Sequence, residues 1–432
     1  MLKYLQQIWN SADLRRKIVF TVAIVFIYRL LAHVTVPGAD LEALKQISSQ
    51  TELLQIFSVL TGGGTENFSI VLMGISPYIT ASIIIQLLTV IVPKFENLSK
   101  EGEQGKRKLN SYTRWLTFPL AIFQSYGMIV LLNTQSTVPI ISDMSNPAIM
   151  IPVMLTITAG TLLLVWLGEQ ISEKGIGNGI SIIIFVGILS NVPQLIAQSL
   201  FLAQNDDSKL MPFILMALIT IVLLVIVILV TEAERKIPLT YAGQGMKAKG
   251  QQAFFPIKIN QAGMIPIIFA VALASFPGII GQFLLTAKSD SLRTFGEFLS
   301  KVFTSNSAPY LITYFVLIIA FTFFYVSITF NPTQIAENIQ KKGGYIPGIR
   351  PGKQTSDYLT HVSKRLTVFG SIFLALIAIS PILTQVIFRT AAVGSVPLLI
   401  SGAGLIIIVG VVLDLIRQIN AQLVMHDYSK FY

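Results

Sequence analysis

Residues 210–231 read Leu210-Met211-Pro212-Phe213-Ile214-Leu215-Met216-Ala217-Leu218-Ile219-Thr220, then Ile221-Val222-Leu223-Leu224-Val225-Ile226-Val227-Ile228-Leu229-Val230-Thr231, 22 positions without a charge. As a helix rising 1.5 Å per residue, this stretch is about 33 Å long. A bilayer core of about 30 Å needs about 20 apolar residues to cross it. It is the shortest of nine charge-free windows, the others being 67–93, 115–142, 144–168, 175–205, 259–287, 302–336, 366–388 and 390–413. A tenth apolar segment, 18–35, is interrupted by Arg29. In hydrocarbon a helix satisfies its own backbone groups, so ten windows predict ten spanning helices. The windows are too long, and too free of alternation, for barrel strands. The fold class is therefore an all-α polytopic membrane protein.

Composition agrees. Of 432 residues 53% are hydrophobic and only 12% charged, against roughly 25% charged in soluble domains. Mean hydropathy is +0.71. Too few charges exist to cover so large an apolar fraction, which excludes an ordinary cytosolic enzyme, a secreted disulfide scaffold and a disordered chain. The chain has no cysteine, so disulfides, thiolate metal sites and cysteine nucleophiles are absent together. Arg15, Arg16 and Lys17 precede the first apolar run, but no small-x-small cleavage site follows. The first helix is read as retained.

Charge sets the topology. Taken alternately, the N-terminus, 93–114, 169–174, 232–258, 337–365 and the C-terminal tail carry 24 of the 31 Lys and Arg; the opposite loops carry 6. The acidic residues split 12 to 9. A bias in basic residues marks the cytoplasmic side, which places both termini inside. Short basic flanks need only orientation and attraction to anionic lipid. The loops 232–258 and 331–364 are long for a compact bundle and mix basic residues with Pro, Gly and aromatics, including Tyr345-Ile346-Pro347-Gly348-Ile349-Arg350-Pro351-Gly352. They read either as a docking surface for a large cytoplasmic partner or as solvated loops.

Ionisable groups inside spans mark ion and proton pathways. Here Arg29 is the one charge inside a window, and no phosphate-binding loop, HExxH pair or intramembrane carboxylate pair occurs. A small-solute transporter and a membrane-embedded enzyme both need such groups. Catalytic residues, metal ligands and cofactors are accordingly not expected. One segment, Glu52 to Thr61 followed by Gly62-Gly63-Gly64, is apolar yet too short to span. It reads either as re-entrant and buried in protein or as an interfacial helix.

Several stretches in order resemble the SecY family, the large subunit of the protein-conducting Sec channel. They are Val36-Pro37-Gly38, Gly74-Ile75-Ser76-Pro77-Tyr78-Ile79-Thr80-Ala81-Ser82, Lys100-Glu101-Gly102-Glu103 and Trp166-Leu167-Gly168-Glu169-Gln170-Ile171. Gly175-Ile176-Gly177-Asn178-Gly179-Ile180-Ser181, Phe330-Asn331-Pro332 and Pro347-Gly348-Ile349-Arg350-Pro351-Gly352 complete the series. The resemblance covers roughly 15–425. It implies two inverted five-helix halves, 1–201 and 202–432, with a plug at about 54–65 that includes Leu54, Ile56, Phe57, Leu60, Gly62 and Gly63.

It implies a pore ring of Ile75, Ile79, Ile180, Ile184, Ile268 and Ile407. Read without the family, these are a few among many isoleucines, most of which face lipid or pack. It implies a lateral gate edged by Thr80, Gln124 and Phe276; Gln124 also reads as a plain helix–helix hydrogen bond. Docking of the SecA ATPase and the ribosome is expected at Arg350, Lys341, Lys342, Lys247 and Lys249, the last two standing in place of an adjacent arginine pair. Further partners implied are SecE- and SecG-like small membrane subunits, signal peptides and the translocating polypeptide, at the cell membrane. The chemistry is coherent: a polypeptide has no fixed side chain to match, so an apolar ring that excludes water suits it better than a polar substrate site.

Overall fold

The computed structural model describes residues 9–37, 68–135, 140–141, 146–205, 207–241, 253–285, 287, 289–303, 307–390 and 401–429. Every one of the ten windows carries a helix. In chain order the elements are α1 (Ala12–Leu31), α2 (Ser76–Ile91), α3 (Pro93–Lys100), α4 (Glu103–Gln135), α5 (Pro147–Lys174), α6 (Gly179–Asn205) and α7 (Asp207–Glu232). After them come β1 (Glu234–Tyr241), β2 (Ala253–Lys258), α8 (Ile265–Leu284), α9 (Asp290–Val302), α10 (Ala308–Thr329), α11 (Pro332–Lys341), β3 (Gly344–Tyr345), α12 (Lys353–Thr390) and α13 (Gly402–Ser429). Among the described residues six helices are long and apolar enough to cross a membrane, and α2 with α3 make a seventh if that bent pair is one span. The pair bends by 100°. Val92 at the bend is extended, as a residue before proline prefers, and Pro93 opens α3.

The chain divides into two compact units. One holds residues up to Asp206, Ala272–Tyr310 and the chain from Gly410; the other holds Asp207–Val271 and Leu311–Val409. In the first unit the strand-like exit of α1 pairs with the approach to α2: Val36 N–H donates to the Phe68 carbonyl at 2.9 Å and Ile70 N–H to the Val34 carbonyl at 2.9 Å. Val36, Phe68, Leu72 and Met73 then pack with Met128, Ile129 and Leu132 of α4 and Met150, Val153 and Ile157 of α5. Asn133 closes this region. Its Oδ1 accepts from Ile140 N–H at 2.8 Å and Ile141 N–H at 3.1 Å, which satisfies backbone donors outside any helix.

The second unit contains an element absent from the sequence expectations. The loops 232–258 and 331–364 join in a three-stranded antiparallel sheet of order β2-β1-β3, with Ile237 opposite Phe255 and Thr240 opposite Tyr345. Ile237 and Leu239 alternate with exposed Lys236 and Pro238 along β1, so one face is apolar. That face packs with Ile257, Ile339, Ile346 and Leu359 into a small core. The described parts of the two loops thus pack into one body. Among the described residues these three short strands are a small addition to a mostly helical fold of the expected class.

Candidate functional site

The isoleucines of the expected ring sit on turns that their local sequence dictates. Gly74 takes a left-handed φ of 53°, Ile75 caps α2 and Pro77 lies in its first turn. Proline suits that place because its missing N–H would have no helical acceptor there. Ile79 N–H donates to the Ile75 carbonyl at 3.0 Å, so the two side chains lie one turn apart. Ile75 is 2% exposed and Ile79 6%. Ile83, a turn further on, is buried as well.

The start of α6 carries Ile184, buried, and Ile180, half-buried. Asn178 caps this helix, its Oδ1 accepting from Ser181 N–H at 3.2 Å. The preceding glycine turn is clamped from two distant places. Ile176 N–H donates to Thr21 Oγ1 of α1 at 3.1 Å, and Gly177 N–H donates to Gln418 Oε1 of α13 at 2.8 Å. Ser172 Oγ accepts from Gly179 N–H at 2.8 Å. Ile176 fills an apolar socket with Leu14, Ile18, Leu415 and Ile419. Neither Thr21 nor Gln418 stands out in the sequence, because a lone polar residue in a helix has no periodic signature.

Glycine at 179 is a steric requirement: a Cβ there would lie 1.9 Å from the Gly168 carbonyl oxygen. Gly179→Ala should therefore force α5 and α6 apart at an overpacking cost of ~1–3 kcal/mol. The expected result is a lower thermal midpoint for the detergent-solubilised protein; an unchanged midpoint would show that the backbone yields there.

Ile268 on α8 and Ile407 on α13 belong to the second unit, 7% and 3% exposed. At the expected gate, Thr80 Oγ1 donates to the Ser76 carbonyl at 3.1 Å and accepts from Gln124 Nε2 at 3.3 Å. This bond ties α2 to α4 and, by the average for membrane helices, contributes about 0.6 kcal/mol. Gln124 Oε1 is buried without a hydrogen-bond partner among the described residues. Phe276 is half-buried on α8. The expected plug residues Leu54, Ile56, Phe57, Leu60, Gly62 and Gly63 lie outside the described residues, as do Lys247 and Lys249.

Arg350 is exposed on a turn built to hold it. Gly348 and Gly352 have φ of 80° and 94°, which glycine adopts without strain. Ile346 is buried in the sheet core with Ile349 packed against it. Thr355 Oγ1 donates to the Arg350 carbonyl at 3.0 Å, anchoring the turn to α12. Lys341 and Lys342 are exposed at the end of α11, with Lys341 Nζ 3.7 Å from Glu337 Oε2.

Long apolar helices, the buried pair Ile75 and Ile79 at the start of α2 and no buried charged side chain among the described residues are features of a multi-pass membrane protein. Residues 69–416 match the SecY family. Protein translocase subunit SecY of Bacillus subtilis is 41% identical over 440 residues, covering 100% of this chain and 99% of that protein. Its counterpart in Aquifex aeolicus is 37% identical over 439 residues, with 100% and 99% covered. Among solved structures, one described as a protein conducting channel superposes with a TM-score of 0.66 at 20% identity, covering 94% of this chain and 92% of that one. Sec61 from a canine ribosome–channel complex superposes at 0.63 and 18%, with 94% and 92% covered. The chain belongs to the SecY family. It is a channel subunit of a protein translocase and not an enzyme.

Proposed function

We propose that unfolded polypeptides cross the membrane through a constriction of Ile75, Ile79, Ile180, Ile184, Ile268 and Ile407, closed at rest by the segment 54–65. The observation that carries this reading is the burial of Ile75 and Ile79, one turn apart at the start of α2, and of Ile184 near the start of α6. An aliphatic ring excludes water and binds no passing side chain tightly. Transmembrane segments leave sideways between α2 and α4 on one side and α8 and α10 on the other, past Thr80, Gln124 and Phe276. Each Leu, Ile, Phe or Val favours exit to lipid by ~0.3–0.6 kcal/mol, and a charge at the helix centre opposes it by ~2.5–3.5. Sorting is then a partition between pore and bilayer.

Such a pore is passive, so its energy comes from a motor ATPase of the SecA kind or from the ribosome. Arg350, Lys341, Lys342, Lys247 and Lys249 are the basic residues on which these dock. SecE- and SecG-like subunits accompany the chain in the cell membrane, with both termini cytoplasmic and the halves 1–201 and 202–432 moving as inverted repeats. Channels solved on the ribosome are among the structural neighbours, which supports the ribosome as a partner. The test is reconstitution. Vesicles containing this chain and its small subunits should make a secretory polypeptide protease-protected only with the ATPase and ATP. Accumulation of a small solute without either, and no protection of polypeptide, would refute the reading.

A further inference from the structure

The connection between α8 and α10 contains α9, whose sequence divides sharply by face. Leu292, Phe295, Phe298 and Leu299 fall on one side, and Arg293, Thr294, Glu297 and Lys301 on the other. Leu292, Phe295 and Phe298 are 48%, 52% and 58% exposed. An apolar side this open on a water-bathed helix would be costly.

Its neighbours show where it lies. α9 folds back along the last turns of α8: a Cβ at Gly278 would lie 3.3 Å from the Phe303 carbonyl oxygen, one at Gly281 2.7 Å from Ser300 N, and one at Gly296 2.8 Å from Leu284 Cβ. The contacts run in opposite order along the two helices, so they are antiparallel and meet backbone to backbone at Gly281 and Gly296. Ser307 Oγ donates to the Val302 carbonyl and accepts from Tyr310 N–H, stapling the end of α9 to the start of α10. α9 is therefore held beside the end of one apolar helix and the beginning of the next. Ile280, on the α8 turn that α9 covers in part, is itself 45% exposed, so the open aromatic face continues the lipid-facing belt of α8.

We propose that α9 is an interfacial helix. Phe295 and Phe298 are immersed among acyl chains just below the headgroups, while Arg293, Glu297 and Lys301 lie toward phosphate and water. An amphipathic helix of this kind buries its apolar face about 5–10 Å into that boundary. Through the Gly281–Gly296 contact the bilayer then holds the end of α8, the helix that also carries Ile268 and Phe276. The assignment is independent of the pore ring.

The absence of cysteine allows a clean test. Single variants Phe295→Cys, Phe298→Cys, Thr294→Cys and Glu297→Cys are nitroxide-labelled in the full chain, purified with its accompanying subunits and placed in vesicles of phosphatidylethanolamine and phosphatidylglycerol. Relaxation by oxygen, which concentrates in lipid, is compared with relaxation by a water-soluble nickel chelate. Oxygen should dominate several-fold at 295 and 298, and the chelate should dominate at 294 and 297. Dominance of the chelate at all four positions would overturn the proposal by showing a solvated helix. Exclusion of both agents from 295 and 298 would also overturn it, because the face would then be covered by protein. Two positions per face keep the result readable if one variant fails to insert.

Discussion

Arg350→Glu should lower ATPase-driven translocation about tenfold or more, equivalent to ~1.4 kcal/mol, while the protein stays folded and inserted. The expectation rests on the turn's separation of anchor from head. Ile346 and Ile349 pack with the sheet core, Thr355 holds the Arg350 carbonyl, and two left-handed glycines shape the chain between them. None of these contacts uses the guanidinium, which meets no carboxylate among the described residues and points outward. Reversing its charge leaves the packing intact, and exposed substitutions ordinarily change stability by less than ~0.5 kcal/mol. What changes is complementarity toward a docking partner, where like charges brought together are strongly unfavourable. The check is the yield of protease-protected polypeptide per unit of inserted protein, beside the thermal midpoint. Full translocation by the variant would remove the turn from the docking surface; a matching fall in midpoint would make it a structural residue instead.

Replacing Ile75, Ile79, Ile180, Ile184 and Ile268 with Ser should make the resting membrane leak ions. A hydrophobic constriction closes by dewetting, and serine hydroxyls would let water columns form. The membrane potential, ~2.3 kcal/mol per charge per 100 mV, then drives ions along the wetted path. Leu or Val at the same positions should keep the seal, since apolar bulk is what excludes water. The control is an equal number of Ile→Ser changes on α7, for example at Ile221 and Ile226, both exposed on an apolar helix surface. Dye or ion flux from vesicles reads the result. Equal leak from the control would assign the effect to general destabilisation.

Charge gaps made the helices legible, because excluding ionisable groups from hydrocarbon leaves a mark over more than 20 consecutive positions. The turn at Arg350 was legible too, since Pro and Gly constrain backbone locally. The sheet was not. β1 buries only Ile237 and Leu239, with Pro238 between them, and its β3 partner is two residues long and about a hundred positions away. Such pairing leaves little periodic trace in either segment. The clamp on the glycine turn was hidden for the same reason: Thr21 and Gln418 reach Ile176 and Gly177 across 155 and 241 positions. The ring residues were named through resemblance. Periodicity puts Ile75 and Ile79 on one face, but the same spacing fits lipid-facing isoleucines, and only burial separates them from Ile221 and Ile226.

A polypeptide arrested midway through the membrane gives the sharpest measurement. A photoreactive amino acid is placed singly at Ile79, Ile184 or Ile268, and at Ile221 or Ile226 for comparison, and each vesicle-borne variant is irradiated with the arrested chain in place. Adducts to the polypeptide should form from 79, 184 and 268 and be absent from 221 and 226. Adducts from 221 and 226, with none from the three buried isoleucines, would place the translocating chain outside the ring and contradict its role as the pore.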